Sequence, residues 1–147
     1  MHYLNSRYPN GVNIFVDCTR SIEGKIGIGI YIPSLTISVS LRLSDHLFPY
    51  SGEVIAIAEG VRYVIKHKIL NSVIVSDCLS AVKDLESIDS LIRPHYITSL
   101  YEEVYSSGGN CSVVWVPGHC GLPHHDKADH LAKLSLTREI DIPVPLN

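Results

Sequence analysis

The chain contains no run of basic residues, no C-x-x-C pair and no apolar stretch approaching the ~20 residues that a membrane-spanning helix needs. Each absence excludes a class of protein. Lys and Arg total 12 against 15 Asp and Glu, a formal net charge of −3, and the basic residues are scattered, so bulk charge offers no electrostatic footprint for nucleic acid. Four cysteines, at positions 18, 78, 111 and 120, form no disulfide framework, and reduced thiols suit a cytosolic or nuclear protein. The start, MHYLNSRYPNGVNIFVD, has no basic segment leading into an apolar stretch and a small-residue cleavage site, so no signal peptide is read. An intracellular protein is expected, in cytoplasm or nucleus, with no membrane partner. Repeats and low-complexity segments are lacking too, and a charged fraction of only 18% argues against a disordered chain.

What is present is enough for one domain with a real core: 147 residues, 46% of them hydrophobic. Its hydrophobic period changes along the chain. VNIFVDC is a β-branched and aromatic run suited to a strand buried on both faces and ending at Asp17. KIGIGIYIP and LTISVSLRL alternate at period two and read as two antiparallel strands joined by a turn at Pro33 and Ser34. From Ser51 the period becomes helical, with Val54, Ile57, Ala58, Val61, Val64 and Ile65 on one face and Glu59, Arg62 and Lys66 outside. SVIVSD is a further strand, CLSAVKDLE and PHYITSLYEEVYSS are helices, GGNCSVVWV is a last strand with Trp115 expected in the core, and HDKADHLAKLS is a last helix. The expected organisation is an N-terminal extension over 1–12, an α/β domain over 13–135, and a C-terminal tail over 136–147 holding two prolines and no period. Three antiparallel strands followed by α/β crossovers predict a five-stranded mixed sheet flanked by helices.

In such sheets ligands gather beyond the carboxyl ends of the parallel strands. Asp17 closes the first strand and Asp77 the fourth; Glu53 stands in the first turn of the long helix, four residues before Ile57 and so on the flank nearest the sheet; Asp129 follows the fifth strand. Singly, each acid reads as a cap or a solvated side chain. Four converging carboxylates would repel one another and raise their pKa values, a cost that divalent cations remove. Carboxylate oxygens select hard ions such as Mg²⁺ or Mn²⁺, and two such ions ~4 Å apart can activate a water and stabilise the leaving oxygen of a phosphodiester.

The stretches IFVDCT, SGEVIAIAEGV, VIVSDCLSAV and WVPGHCGLPHHDKADHLAK, in that order, resemble a type 1 ribonuclease H domain over about residues 13 to 134. The last two blocks are most similar in wording to the ribonuclease H domains of non-LTR retrotransposons. The resemblance implies a ribonuclease H-like fold, hydrolysis of the RNA strand of RNA–DNA hybrids, and two Mg²⁺ ions, with Mn²⁺ as a substitute. It implies that Asp17, Glu53, Asp77 and Asp129 hold metal and that His119 assists proton transfer or product release, with Gly118 and Gly121 freeing the backbone around it. An RNA–DNA hybrid is the partner so implied, and a reverse transcriptase or a parent polyprotein is a further candidate.

The chain departs from the family pattern at several places. Asp17-Cys18-Thr19 stands for D-G-S, Asp77-Cys78 for D-S, and His124-His125-Asp126 for the G-N-E of many relatives. Tyr50 stands where some cellular relatives place a phosphate-contacting asparagine, and His125, four residues before Asp129, reads as the replacement of an asparagine that touches substrate or orients the site. Cys18, Thr19, Tyr50, Cys78 and His125 are therefore the substrate-side candidates. A catalytically weakened module that keeps the ribonuclease H-like fold and serves nucleic-acid binding or a structural role is the alternative function. A dedicated zinc site from His119, Cys120, His124, His125 and His130 is disfavoured, because no pair follows a finger or ribbon spacing. Cys18 and Cys78, each after a candidate metal ligand on neighbouring strands, are expected to lie close together.

Overall fold

A computed structural model describes residues 11–86, 95–118 and 121–142. Its central strand, β1 (Val12–Arg20), buries Ile14, Phe15, Val16 and Asp17 in succession, which only a strand covered on both faces can do. Strand β2 (Ile26–Ile32) runs antiparallel to it with Asp17 opposite Gly29, and β3 (Ile37–Leu43) runs antiparallel to β2. A single 3-10 turn over Pro33–Leu35 makes that connection and ends at Thr36 in the left-handed region. On the other side β4 (Asn71–Ser76) pairs parallel to β1, and β5 (Asn110–Trp115) parallel to β4. The sheet therefore runs β3-β2-β1-β4-β5, the five-stranded mixed sheet with three antiparallel strands first that the periodicity predicts.

Helices cover both faces. The first, α1 (Pro49–Lys66), buries Val54, Ile57, Val61 and Val64 and leaves Glu59 and Arg62 to pair at its outer side at 3.3 Å. With α2 (Leu79–Glu86) and α3 (His95–Ser106) it packs on the face bearing Ile14, Val16 and Ile74. The opposite face carries Phe15, Val73, Val75, Val114 and Val116, and here α4 (Pro123–Leu134) lies against the sheet through Ala128. The Ile-Gly-Ile-Gly alternation of β2 explains how close this helix comes. A Cβ at Gly29 would stand 2.6 Å from the Ala132 nitrogen and collide with the Ala128 carbonyl, so α4 rests main chain to main chain on β2.

After α4 the chain returns to the β3 edge, where the Asp141 and Ile142 N–H groups donate to the Arg42 carbonyl at 2.8 and 3.0 Å. Trp115 departs from the expected core position. It is 40% exposed, because β5 is the outer strand and Trp115 its last residue. Among the described residues no helix is long and apolar enough to cross a membrane.

Candidate metal centre

The parallel pairing of β1 and β4 ends with Phe15 opposite Val75, and two residues further along each chain lie Asp17, still within β1, and Asp77, just past β4, at one edge. Strand alternation puts Asp17 on the face of Phe15, toward α4, and Cys18 on the face of Val16, toward α1. Asp17 is 5% exposed, and its carboxylate accepts the Cys18 N–H at 2.9 Å. Glu53 reaches the same place from the first turns of α1, with Oε2 buried and without a hydrogen-bond partner among the described residues. From the opposite face α4 supplies Asp129, paired with Lys133 at 2.8 Å, and His125, whose Nε2 is 3.9 Å from Asp77 Oδ2. Asp17, Asp77 and His125 each offer a ligand atom within 4.8 Å of the others.

The electrostatics of this edge are unfavourable without a cation. Burial, then repulsion from Asp77, pushes the Asp17 carboxyl up to about 8, and Asp129 raises it further by charge and by hydrogen bonding to the neutral form. Burial, then repulsion from Asp17 and Asp77, pushes Glu53 up to about 9. Among the described residues neither Asp17 nor Glu53 has an ion-pair partner; Lys133, bonded to Asp129, is at the solvent side. Buried carboxylates aimed at one another, an orphaned Glu53 oxygen and an orphaned His125 nitrogen form a donor set that fits a divalent cation.

Of the residues singled out in the sequence, Asp17, Glu53, Asp77, Asp129 and His125 come together. His119 lies outside the described residues. Its neighbour Gly118 is packed on Asp77, where a Cβ would stand 2.7 Å from Oδ2, and Gly121 adopts a left-handed φ of 81°. Thr19 is half-buried, two residues past Asp17 on β1. The Cys18 side chain turns inward, so that a Cβ on Gly52 would meet its sulfur at 2.5 Å. Burial, then the charge of Glu53, raises the Cys18 thiol well above its ordinary range, and Cys78 adds to the effect from beside it. The half-buried Cys78 places its sulfur 3.5 Å from Ser80 Oγ. Tyr50 is 37% exposed and donates its hydroxyl to Asp84 on α2 at 2.5 Å.

Two supporting contacts escape a reading of the sequence for acids alone. The Asp129–Lys133 pair was visible in principle, as an i,i+4 spacing on a predicted helix. The Trp115 indole N–H, which donates to the Asp77 carbonyl at 3.1 Å, had no sequence signal.

No family model and no curated protein matches the chain. Solved structures do. The N-terminal RNase H domain of a Mycobacterium tuberculosis protein, solved as a fusion with maltose-binding protein, superposes with a TM-score of 0.62 at 15% identity, covering 86% of this chain and 93% of that one. RNase H1 from the halophilic archaeon Halobacterium salinarum gives 0.64 at 12% identity, over 86% and 98% of the two chains. An RNase H1 isolated from compost by a metagenomic approach gives 0.62 at 13%, over 86% and 96%. The chain has a ribonuclease H-like fold.

Proposed function

We propose that this chain is a type 1 ribonuclease H, a metal-dependent endoribonuclease that hydrolyses the RNA strand of RNA–DNA hybrids. The observation that carries this reading is the convergence of Asp17, Glu53, Asp77 and Asp129, from two strands and two helices on both faces of the sheet, on one edge where their charges oppose each other. Buried acids that serve structure alone are ordinarily paired, whereas Asp17 and Glu53 have no ion-pair partner among the described residues. Two divalent cations, Mg²⁺ or Mn²⁺, would supply the positive charge that activates a water and stabilises the leaving oxygen of a phosphodiester. Asp17 and Asp77 would form the floor of that seat, Glu53 and Asp129 its two walls, and burial would exclude bulk water from their inner oxygens. In this reading His119, beside the Gly118 that packs on Asp77, exchanges the proton, a role carried over from the resemblance alone.

Cys18 stands where the family has glycine, yet its sulfur is tucked against Gly52, which supports an open surface for the hybrid and favours the active enzyme over a weakened binding module. A net charge of −3 implies few phosphate contacts and modest affinity, and so a partner such as a reverse transcriptase or a parent polyprotein of the non-LTR retrotransposon kind. Thiols beside the acids suit an intracellular, reducing setting in cytoplasm or nucleus. The test is cleavage of a labelled RNA–DNA hybrid with Mg²⁺ or Mn²⁺, beside single-stranded RNA, duplex DNA and Asp77→Asn. Metal-dependent cutting of the RNA in the hybrid alone, lost in Asp77→Asn, is expected. A folded protein that cuts nothing with either ion would return the weakened module to first place.

A further inference from the structure

We propose that His125 is itself a metal ligand, which makes Asp17, Asp77 and His125 a mixed nitrogen and oxygen seat that favours a borderline transition ion such as Mn²⁺ over Mg²⁺. The inference rests on the reading that the acids of this edge hold a divalent cation, and it adds which cation.

His125 is 4% exposed, among the most buried polar side chains of the described residues. It stands in the first turns of α4, one helical turn before Asp129 and on the same flank. The seating of α4 on the sheet brings the imidazole beside Asp77. There Nε2 has no hydrogen-bond partner among the described residues. A buried ring nitrogen left unpaired is costly, and at 3.9 Å the Asp77 oxygen is too far to relieve it by a hydrogen bond.

The same distance suits two atoms on one ion. With bonds of about 2.1 Å, neighbouring ligand atoms of an octahedral ion stand about 3 Å apart and opposite ones about 4.2 Å, so 3.9 Å is nearest the spacing of two ligands on opposite sides of one ion. Asp17 offers a further ligand atom within 4.8 Å of both. Mg²⁺ prefers an all-oxygen shell and dehydrates reluctantly, whereas imidazole suits transition ions. An imidazole in place of one oxygen donor therefore shifts the balance between ions without changing the number of ligands.

The metal-free full chain would be titrated calorimetrically with Mn²⁺ and, separately, with Mg²⁺, in the absence of nucleic acid, for the unaltered protein and for His125→Asn. The expected result is a loss of about tenfold or more in Mn²⁺ affinity in the variant, against no more than about threefold for Mg²⁺. Equal losses for the two ions, or none, would overturn the proposal. Electron spin-echo spectra of Mn²⁺ bound to the unaltered protein provide a measurement independent of how the variant folds. Modulation from an imidazole nitrogen is expected and its absence sinks the idea. Binding without nitrogen coupling would reject His125 as a ligand and leave the metal-dependent nuclease standing; binding of neither ion would remove both. Nitrogen coupling in a protein that fails to cut hybrid would uphold the ligand and reject the nuclease.

Discussion

The indole N–H of Trp115, at the end of β5, donates to the main-chain carbonyl of Asp77 at 3.1 Å, so the outermost strand of the sheet braces the backbone that carries Asp77 just past the end of its neighbour. Trp115→Phe keeps the ring and deletes the donor. A stability loss of about 0.5–1.5 kcal/mol is expected from the hydrogen bond, with a several-fold drop in hybrid cleavage as Asp77 loses its brace. Thermal unfolding and kcat measured on the same preparation check this. A loss of stability with unchanged kcat would reduce Trp115 to a structural role.

Cys18 and Gly52 form a second coupled pair. Gly52→Ala adds a Cβ 2.5 Å from the Cys18 sulfur, and overpacking of that kind costs about 1–3 kcal/mol, partly offset by about 1 kcal/mol of helix propensity. Cys18→Gly removes the obstruction, so the double variant should be more stable than the sum of the two single changes predicts, by at least about 1 kcal/mol. Denaturant midpoints for the four proteins of the cycle measure it. Additive effects would mean that the sulfur moves aside at no cost.

The raised carboxyls make the stability of the metal-free protein depend on pH. Asp17 and Glu53 bind protons in the folded state up to about 8 and about 9, whereas in the unfolded chain they release them near their ordinary values of 3.8 and 4.5. The folded state holds more protons between these limits, so this contribution to stability is complete below the unfolded values, falls as pH rises through the window, and is gone above the folded values. Metal-free protein should therefore melt lower at about pH 9 than at about pH 6, saturating Mn²⁺ should remove most of the difference, and Asp17→Asn should flatten the slope. Differential scanning calorimetry in both buffers decides; an identical slope in Asp17→Asn would show that other groups carry it.

How far the chain discloses its own fold depends on whether a signal is local. The change of hydrophobic period at Ser51 marks the passage from antiparallel strands to crossover helices, and both parts of the sheet follow from it. Asp17 and Asp77 stand out in the sequence because each closes a run of core residues, although β1 continues past Asp17 to Arg20 and β4 stops at Ser76, and Glu53 because it shares the buried flank of Ile57. Trp115 differs from expectation because a large apolar residue ending a β-branched run looks like core, and only the strand order, a property of the whole sheet, makes it an edge residue. The glycines of β2 were visible as an alternation, but what lies over them is a helix 100 residues away in the chain by roughly that count, which no local pattern encodes. Likewise the depth of His125 follows from the seating of α4 and not from its own neighbours in sequence.

That seating has a further consequence for how the centre tolerates change. Where a helix is held to a sheet by interlocking side chains, each substitution of core volume shifts the helix axis, and whatever the helix carries shifts with it. Between β2 and α4 the spacer is the backbone itself, whose dimensions no mutation of side-chain volume alters. The span between Asp17 and Asp129 is thus insulated from drift in the rest of the core, so that sequences can diverge widely around these two glycines while the separation of the carboxylates stays calibrated.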